Sequence, residues 1–295
     1  MGSSALASTA TGGKALTSAS LYQTHLLSGR CQARLASRAG FCDFKPVKRE
    51  IIKPILIAHR GASSLEPENT LASFKKALEF PFVKMIELDV YAIPSGQLMV
   101  IHDNKVDRTT NGKGYVMESS FAYLRSLDAG RGAGNAKRGG KREKIPTLNE
   151  VLDLIDRKVK LNIELKGEHT AEPVKKVLRE YLTKRWKHDD FLISSFNHEE
   201  LRKFKQLMPA IPVGVVFDGI PLGYAQYAQG LNAYSLHLSV EFANQEIVAD
   251  AHRRGIKVFC WTLTEADEIE RMCKLGVDGI FVNDPEFAYS VLMKQ

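Results

Sequence analysis

The chain has 295 residues, of which 44% are hydrophobic and 25% are charged, and its net charge is +7. These values are typical of a globular protein with one large core, and no apolar run reaches the length of a membrane span. Residues 1–42 contain four basic residues and no acidic one, so most of the net charge lies ahead of the folded body. A nucleic-acid partner and an integral membrane segment are therefore not expected.

Residues 1–50 precede the first strand pattern. They are rich in Ser and Ala and carry Arg, which is typical of an organellar transit peptide and equally of a disordered tail. We expect the protein to reside in a reducing compartment, the cytoplasm or an organelle interior, because its cysteines form neither a paired nor a metal-binding spacing. These cysteines are Cys31, Cys42, Cys260 and Cys273.

From residue 51 onward, short apolar runs alternate with helical patterns. Helix starts are indicated by the amphipathic run Asn69–Phe80, by Thr147 ahead of Leu148–Ile155, and by Asn197 ahead of His198. A last helix is expected over Glu286–Met293. The predicted strands are Ile55–His59, Met85–Tyr91, Leu161–Lys166, Phe191–Ser195, Val213–Phe217, Tyr234–Leu238, Val258–Thr262 and Gly279–Val282.

Strand–helix units of this kind predict parallel strands joined by right-handed crossovers. Eight of them predict a (β/α)8 TIM barrel over residues 51–295, with an open doubly wound sheet as the alternative. The first strand is not followed by the glycine-rich fingerprint of dinucleotide-binding folds. In either architecture, catalytic groups are expected at the carboxyl ends of the strands.

An insertion at about residues 94–145 interrupts this alternation. It begins as a hairpin, and a two-residue turn at Ser95-Gly96 would place His102 opposite Asp89, within one residue. The hairpin would thus return His102 to the active-site rim. Further on, residues 131–144 are glycine-rich and basic, which indicates a flexible solvated loop or, alternatively, an electropositive flap over an anion site.

Acidic residues occupy the inward positions of two predicted strands. Glu87 and Asp89 are two residues apart, so both point into the barrel, and Glu164 repeats the arrangement on the next strand. Three such carboxylates require neutralisation in a water-poor site, and hard oxygen ligands favour one divalent cation, Mg²⁺ or Ca²⁺. The alternative is a salt-bridge cluster in which Arg60 and Lys166 neutralise the acids.

Two histidines come from separate elements that should meet at the same rim. His59 ends the first strand and His102 ends the hairpin, which indicates a general acid–base pair. The planar guanidinium of Arg60 suits a phosphate, and Lys166 adds a second positive charge. A divalent cation, these cations and two histidines together predict a phosphodiester-cleaving site.

Several motifs resemble the glycerophosphodiester phosphodiesterases, in particular the small bacterial-type members. The resemblance implies hydrolysis of glycerophosphodiesters, such as glycerophosphocholine or glycerophosphoethanolamine, to glycerol 3-phosphate and an alcohol. It implies His59 and His102 as the acid–base pair, Glu87, Asp89 and Glu164 as metal ligands, Arg60 and Lys166 at the phosphate, and Phe196 and Trp261 lining the pocket. The motifs are "HRGASSLEPENTLASF", "ELDV", "HD" followed by "RTTNGKG", then "IELKG", "SSF", "WTL" and "GVDGIFVNDP".

The sequence departs from the family pattern in two places. Ser95 replaces an aspartate in the hairpin turn, and Asn283 replaces a threonine near the end of the last strand. The main functional alternative is a lysophospholipase D-type lipid phosphodiesterase, which would need an exposed apolar entrance. A non-catalytic barrel and a Schiff-base aldolase using Lys166 are further alternatives, and the intact set of acids and histidines argues against the former.

Overall fold

The computed structural model describes residues 53–130 and 142–295. Residues 1–50, for which the sequence predicts a transit peptide or a disordered tail, lie outside the described residues. Residues 131–141, most of the basic segment interpreted as a solvated loop or a flap, also lie outside them. Both interpretations therefore remain predictions.

A closed barrel of eight parallel strands forms the centre of the described chain, which confirms the predicted (β/α)8 TIM barrel. The first strand pairs with both the second and the last, so the sheet has no open edge and the doubly wound alternative is wrong. The third strand is an antiparallel addition outside the barrel. The strands are β1 (Ile55–Ala58), β2 (Val83–Ala92), β3 (Leu98–Val100), β4 (Lys160–Leu165), β5 (Phe191–Ser195), β6 (Val213–Phe217), β7 (Ser235–Ser239), β8 (Lys257–Leu263) and β9 (Gly279–Val282).

Helices follow the strands around the outside of the barrel. Thr147 and Asn197 cap their helices as predicted, with Thr147 in a reciprocal capping box with Glu150. The first helix begins at Leu71 rather than Asn69, because Thr70 is the N-cap and Asn69 has a left-handed backbone (φ 56°). The helices are α1 (Leu71–Leu78), α2 (Phe121–Ser126), α3 (Leu148–Ile155), α4 (Ala171–Lys184), α5 (His198–Leu207), α6 (Gln226–Gln229), α7 (Gln245–Arg253), α8 (Ala266–Leu275) and α9 (Pro285–Leu292).

The apolar residues form separate layers on the two faces of the strands. Outward residues such as Ile86 and Leu88 belong to the main core between the barrel and its helices. A smaller cluster shares the inward face with the acidic residues of β2, because alternate residues of a strand point to opposite faces. This inner cluster consists of Ile57, Met85, Leu192, Phe259 and Phe281.

The hairpin after β2 differs by one residue from its predicted register. Val90 pairs with Val100 and Ala92 with Leu98, so a three-residue loop at 94–96 replaces the predicted two-residue turn. Gly96 takes the left-handed conformation (φ 88°) that ends such loops. His102 lies just beyond this pairing, after Ile101, whose N–H donates to Asp89 O (3.0 Å).

The insertion has a core of its own beside the barrel. Its apolar side chains are directed inward and pack against each other. Because this cluster includes Ile101, it fixes the end of the hairpin from which His102 projects. Its buried members are Tyr91, Ile93, Met99, Ile101, Val106, Val116, Leu124, Leu127, Ala129 and Ile145.

Candidate active site

Three carboxylates meet inside the carboxyl end of the barrel. Glu87 and Asp89 lie on β2, and Glu164 on β4 is directly opposite Asp89 in the strand register. One oxygen of each lies within 4.8 Å of the others. Glu87 and Asp89 are only 2% and 1% exposed, so this negative charge is held away from water.

Two basic side chains accompany these acids. Lys166 Nζ lies 2.5 Å from Glu164 Oε1 and 3.4 Å from Asp89 Oδ1, and Arg60 Nε lies 3.6 Å from Asp89 Oδ2. The predicted salt bridges therefore exist. Two positive charges nevertheless leave one of the three carboxylate charges uncompensated.

The uncompensated charge affects the carboxyls differently: the pKa of Glu87 is raised and that of Asp89 is lowered. Burial, with repulsion from Asp89 and Glu164, raises the pKa of Glu87 well above its usual range. Burial would also raise the pKa of Asp89, but Lys166 and Arg60 outweigh it and the pKa is lowered. Glu87 is thus the carboxylate with the greatest need of another positive charge.

The oxygen donors at this point fit a divalent cation. Besides the three carboxylates, Asn162 offers a buried Oδ1 that has no hydrogen-bond partner among the described residues. Asn162 is adjacent to Glu87 in the strand register and lines the same cavity. An all-oxygen donor set suits Mg²⁺ or Ca²⁺ and not a softer metal.

The turn after β1 places His59 and Arg60 against the carboxylates. Arg60 and Gly61 both have left-handed backbones (φ 56° and 82°), so the strand ends abruptly. The Arg60 N–H then donates to Glu87 Oε2 (2.9 Å), and His59 Nε2 lies 4.0 Å from the same oxygen. The local backbone thus holds both side chains at the cluster.

Asn283, which departs from the family pattern, holds His59 in one orientation. His59 Nδ1 lies 2.8 Å from Asn283 Oδ1, and because an amide oxygen only accepts, Nδ1 carries the proton. Burial, reinforced by Arg60, lowers the pKa of His59 to about 4. The ring is neutral near pH 7, with Nε2 unprotonated.

His102 reaches the same cavity from the insertion. Its Nδ1 lies 2.7 Å from Asp103 Oδ1, and burial lowers its pKa. The charge on His102 is close enough to lower the pKa of His59. The structure therefore brings the two predicted histidines together, each with Nδ1 occupied by a neighbouring oxygen.

A cavity of about 160 Å³ joins these groups. Phe196 and Trp261 form its apolar wall, with ring centroids 5.6 Å apart, and Lys166 Nζ lies 5.6 Å from the Phe196 ring. Every predicted site residue except Asp89 lines it; Asp89 is buried beside Arg60 and Lys166, which do. The lining includes His59, Arg60, Glu87, His102, Glu164, Lys166, Phe196 and Trp261.

Several polar residues of the site have no role in the sequence prediction. Asn69 donates from Nδ2 to Asp89 Oδ2 (2.9 Å), and Asn162 and His237 line the cavity. His237 and Asn162 could have been found from their inward positions on predicted strands. Asn69 could not, because its place at a helix start gives an asparagine a sufficient local reason.

Comparison with known proteins decides the family. The model of the glycerophosphoryl diester phosphodiesterase family matches residues 59–287. The chain belongs to this family. It is 40% identical over 248 residues to a glycerophosphodiester phosphodiesterase of Caldanaerobacter subterraneus subsp. tengcongensis, covering 82% of this chain and 99% of that protein. A Bacillus subtilis glycerophosphodiester phosphodiesterase is 31% identical over 252 residues, covering 80% and 86%.

The solved structures agree with this membership. An Oleispira antarctica phosphodiesterase, in complex with the product sn-glycerol-3-phosphate, is 32% identical with a TM-score of 0.74, covering 82% of this chain and 97% of that one. This chain is therefore a phosphoric diester hydrolase with glycerophosphodiester phosphodiesterase activity. No helix in the described ranges is long and apolar enough to cross a membrane.

Proposed function

We propose that this enzyme hydrolyses small water-soluble glycerophosphodiesters, such as glycerophosphocholine or glycerophosphoethanolamine, to glycerol 3-phosphate and an alcohol. The observation that carries the proposal is one cavity of about 160 Å³ lined by carboxylates, two cations and two histidines. The glycerol 3-phosphate bound by the Oleispira relative supports the same product here.

One divalent cation, Mg²⁺ or Ca²⁺, would be held by Glu87, Asp89 and Glu164. When bound, it neutralises the carboxylates and stabilises negative charge on a phosphoryl oxygen. Arg60 and Lys166 hold the phosphate from the protein side. Arg60 Nε is directed at Asp89, 3.6 Å away, and the guanidinium lines the cavity that would hold the phosphate.

The hydrogen-bond partners of the two histidines indicate which one accepts a proton during the reaction and which one donates it. His59 donates from Nδ1 to a neutral amide, so its free Nε2 is suited to accept a proton from the attacking group. Burial lowers the pKa of His102, but its hydrogen bond to the carboxylate of Asp103 acts in the opposite direction and favours a protonated ring, so His102 is the better suited of the two to protonate the leaving oxygen. The attacking group is water or the neighbouring glycerol hydroxyl, and isotope labelling of the product phosphate separates the two.

The lipid alternative receives no support from the described part of the insertion. There the leucine, isoleucine and valine side chains are buried, and the exposed large rings are those of two tyrosines, Tyr115 and Tyr123. The exposed aromatic ring at the cavity is Phe196, which is 48% exposed and lies beside Lys166. A ring in that position suits contact with the alcohol part of a small diester.

Product release from several diesters tests the proposal. The purified chain is treated with chelator, metal removal is verified, and choline release from glycerophosphocholine and lysophosphatidylcholine is measured with Mg²⁺ or Ca²⁺ restored. Glycerol 3-phosphate is assayed as the second product from glycerophosphocholine, and acylglycerol phosphate as that from lysophosphatidylcholine. We expect release from glycerophosphocholine that requires one of the cations and is abolished in His59→Ala and His102→Ala. His188→Ala, at an exposed histidine, serves as the control. Full activity of the metal-free enzyme would refute the cation's role, and faster turnover of lysophosphatidylcholine would favour a lipid substrate.

A further inference from the structure

Arg108 joins two parts of the site that come from different elements. Its Nη1 and Nη2 each donate to Glu68 at 2.7 Å, just ahead of α1. Its Nε and Nη2 donate to Asp103 at 2.6 and 2.9 Å, just beyond the hairpin. One guanidinium thus binds two carboxylates, each through two hydrogen bonds, and fixes the plane of both.

Each of these carboxylates also accepts a hydrogen bond from a proposed active-site residue. Glu68 Oε1 accepts from Arg60 Nη1 (2.9 Å), and Asp103 Oδ1 accepts from His102 Nδ1 (2.7 Å). A continuous series of hydrogen bonds therefore runs from His102 through Asp103, Arg108 and Glu68 to Arg60.

The position of Arg108 is itself fixed. The neighbouring Thr109 and Thr110 are 6% and 5% exposed, and Thr110 Oγ1 donates to Val106 O (2.7 Å) in the insertion core. Hydrogen bonding to Arg108 also lowers the pKa of Asp103 to about 2, so Asp103 remains an acceptor for His102 at neutral pH.

We propose that Arg108, with Glu68 and Asp103, is a positioning element that holds His102 of the insertion at a fixed position relative to Arg60 of the barrel. The inference rests on the proposed roles of His102 and Arg60. Without Arg108, Asp103 loses two hydrogen bonds and no longer restrains the imidazole. Glu68 then pairs with Arg60 alone and draws its guanidinium away from the phosphate.

Kinetics of Arg108→Ala and Arg108→Lys test the proposal, with Arg125→Ala as matched control. Arg125 is also in the insertion, and its guanidinium makes a two-bond pair with Glu150 (2.9 and 2.5 Å) and donates to Ile145 O (2.6 Å). We expect kcat/KM to fall about 10- to 100-fold in both Arg108 variants, since small misplacements of reacting groups have effects of this size. Arg125→Ala should lower thermal stability with kcat/KM within about 2-fold of wild type.

Two further readouts distinguish positioning from general stability. Added guanidinium, at concentrations that do not denature the wild type, should restore turnover to Arg108→Ala, whereas equal ethylammonium should not. Asp103→Asn should lower kcat with little change in KM, and Glu68→Gln should mainly raise KM.

The proposal is overturned if Arg108→Ala turns over substrate like the wild type. It is also overturned if activity falls only in proportion to the unfolded fraction and guanidinium restores nothing. Full activity of His102→Ala would instead contradict the proposed function, so the two failures are distinguishable.

Discussion

Gly61 provides a test of how tightly the backbone is packed behind the His59–Arg60 turn. Its φ is 82°, and a Cβ added there would lie 2.5 Å from Ser73 Oγ and 2.7 Å from the Ser73 carbonyl carbon. A left-handed conformation costs a non-glycine residue about 1–2 kcal/mol. Forcing an extra carbon against a packed helix start costs about 1–3 kcal/mol more. We therefore expect Gly61→Ala to lower the free energy of unfolding by about 2–5 kcal/mol.

Gly96→Ala is the matched control, because Gly96 has nearly the same backbone (φ 88°) but nothing lies within 4 Å of an added Cβ. It should show the conformational cost alone, about 1–2 kcal/mol. Urea unfolding followed by circular dichroism, with m-values compared, measures both variants. Gly61→Ala should also lose more than about 10-fold in kcat/KM, since Arg60 is displaced. Equal destabilisation of the two variants would show that the contact with Ser73 is not limiting.

Substitutions at three further positions test the rest of the proposal. Glu164→Gln should weaken Mg²⁺ or Ca²⁺ binding at least about 10-fold by isothermal titration calorimetry, because it removes a charged ligand; unchanged affinity would place the cation elsewhere. Asn283→Ala should lower kcat about 10-fold because the His59 ring is no longer held. Asn283→Thr should partly restore kcat, since its hydroxyl can accept from His59 Nδ1. Equal kcat of the wild type and both variants would mean that the amide does not orient His59. Leu222→Asp, at a fully exposed side chain in the loop after β6, should leave glycerophosphocholine turnover unchanged and should not alter binding to phosphatidylcholine vesicles; loss of vesicle binding would revive a lipid substrate.

The barrel could be predicted because its signals are local. Strands buried on both faces are apolar along their length, and the inward acids of β2 and β4 then stand out against that background. The hairpin register could not be predicted to the residue. Ser95-Gly96 fits a two-residue turn, but Pro94 at the first loop position with Gly96 in the left-handed region gives a three-residue loop.

The contacts that orient the site depend on side chains far apart in the chain. Glu68 and Arg108 are separated by 40 residues, and His59 and Asn283 by 224. Arg108 begins the "RTTNGKG" motif, but the local pattern does not reveal that its partner is Glu68. The departure at Asn283 was visible in the sequence, but only the fold shows that its amide oxygen accepts the His59 proton.

The acidic cluster and the histidine pair depend on different parts of the fold. Glu87, Asp89 and Glu164 all lie on neighbouring barrel strands, so their spacing is set by strand register and the main core. His59 belongs to the same barrel, but His102 is held by the separate core of the insertion. The proposed cation site therefore draws its ligands from the barrel alone, whereas the proposed proton transfer requires that the barrel and the insertion keep a fixed relation. On this proposal the insertion can vary around its core without altering the metal ligands, provided that the contacts of Asp103 and Arg108 at its edge are kept.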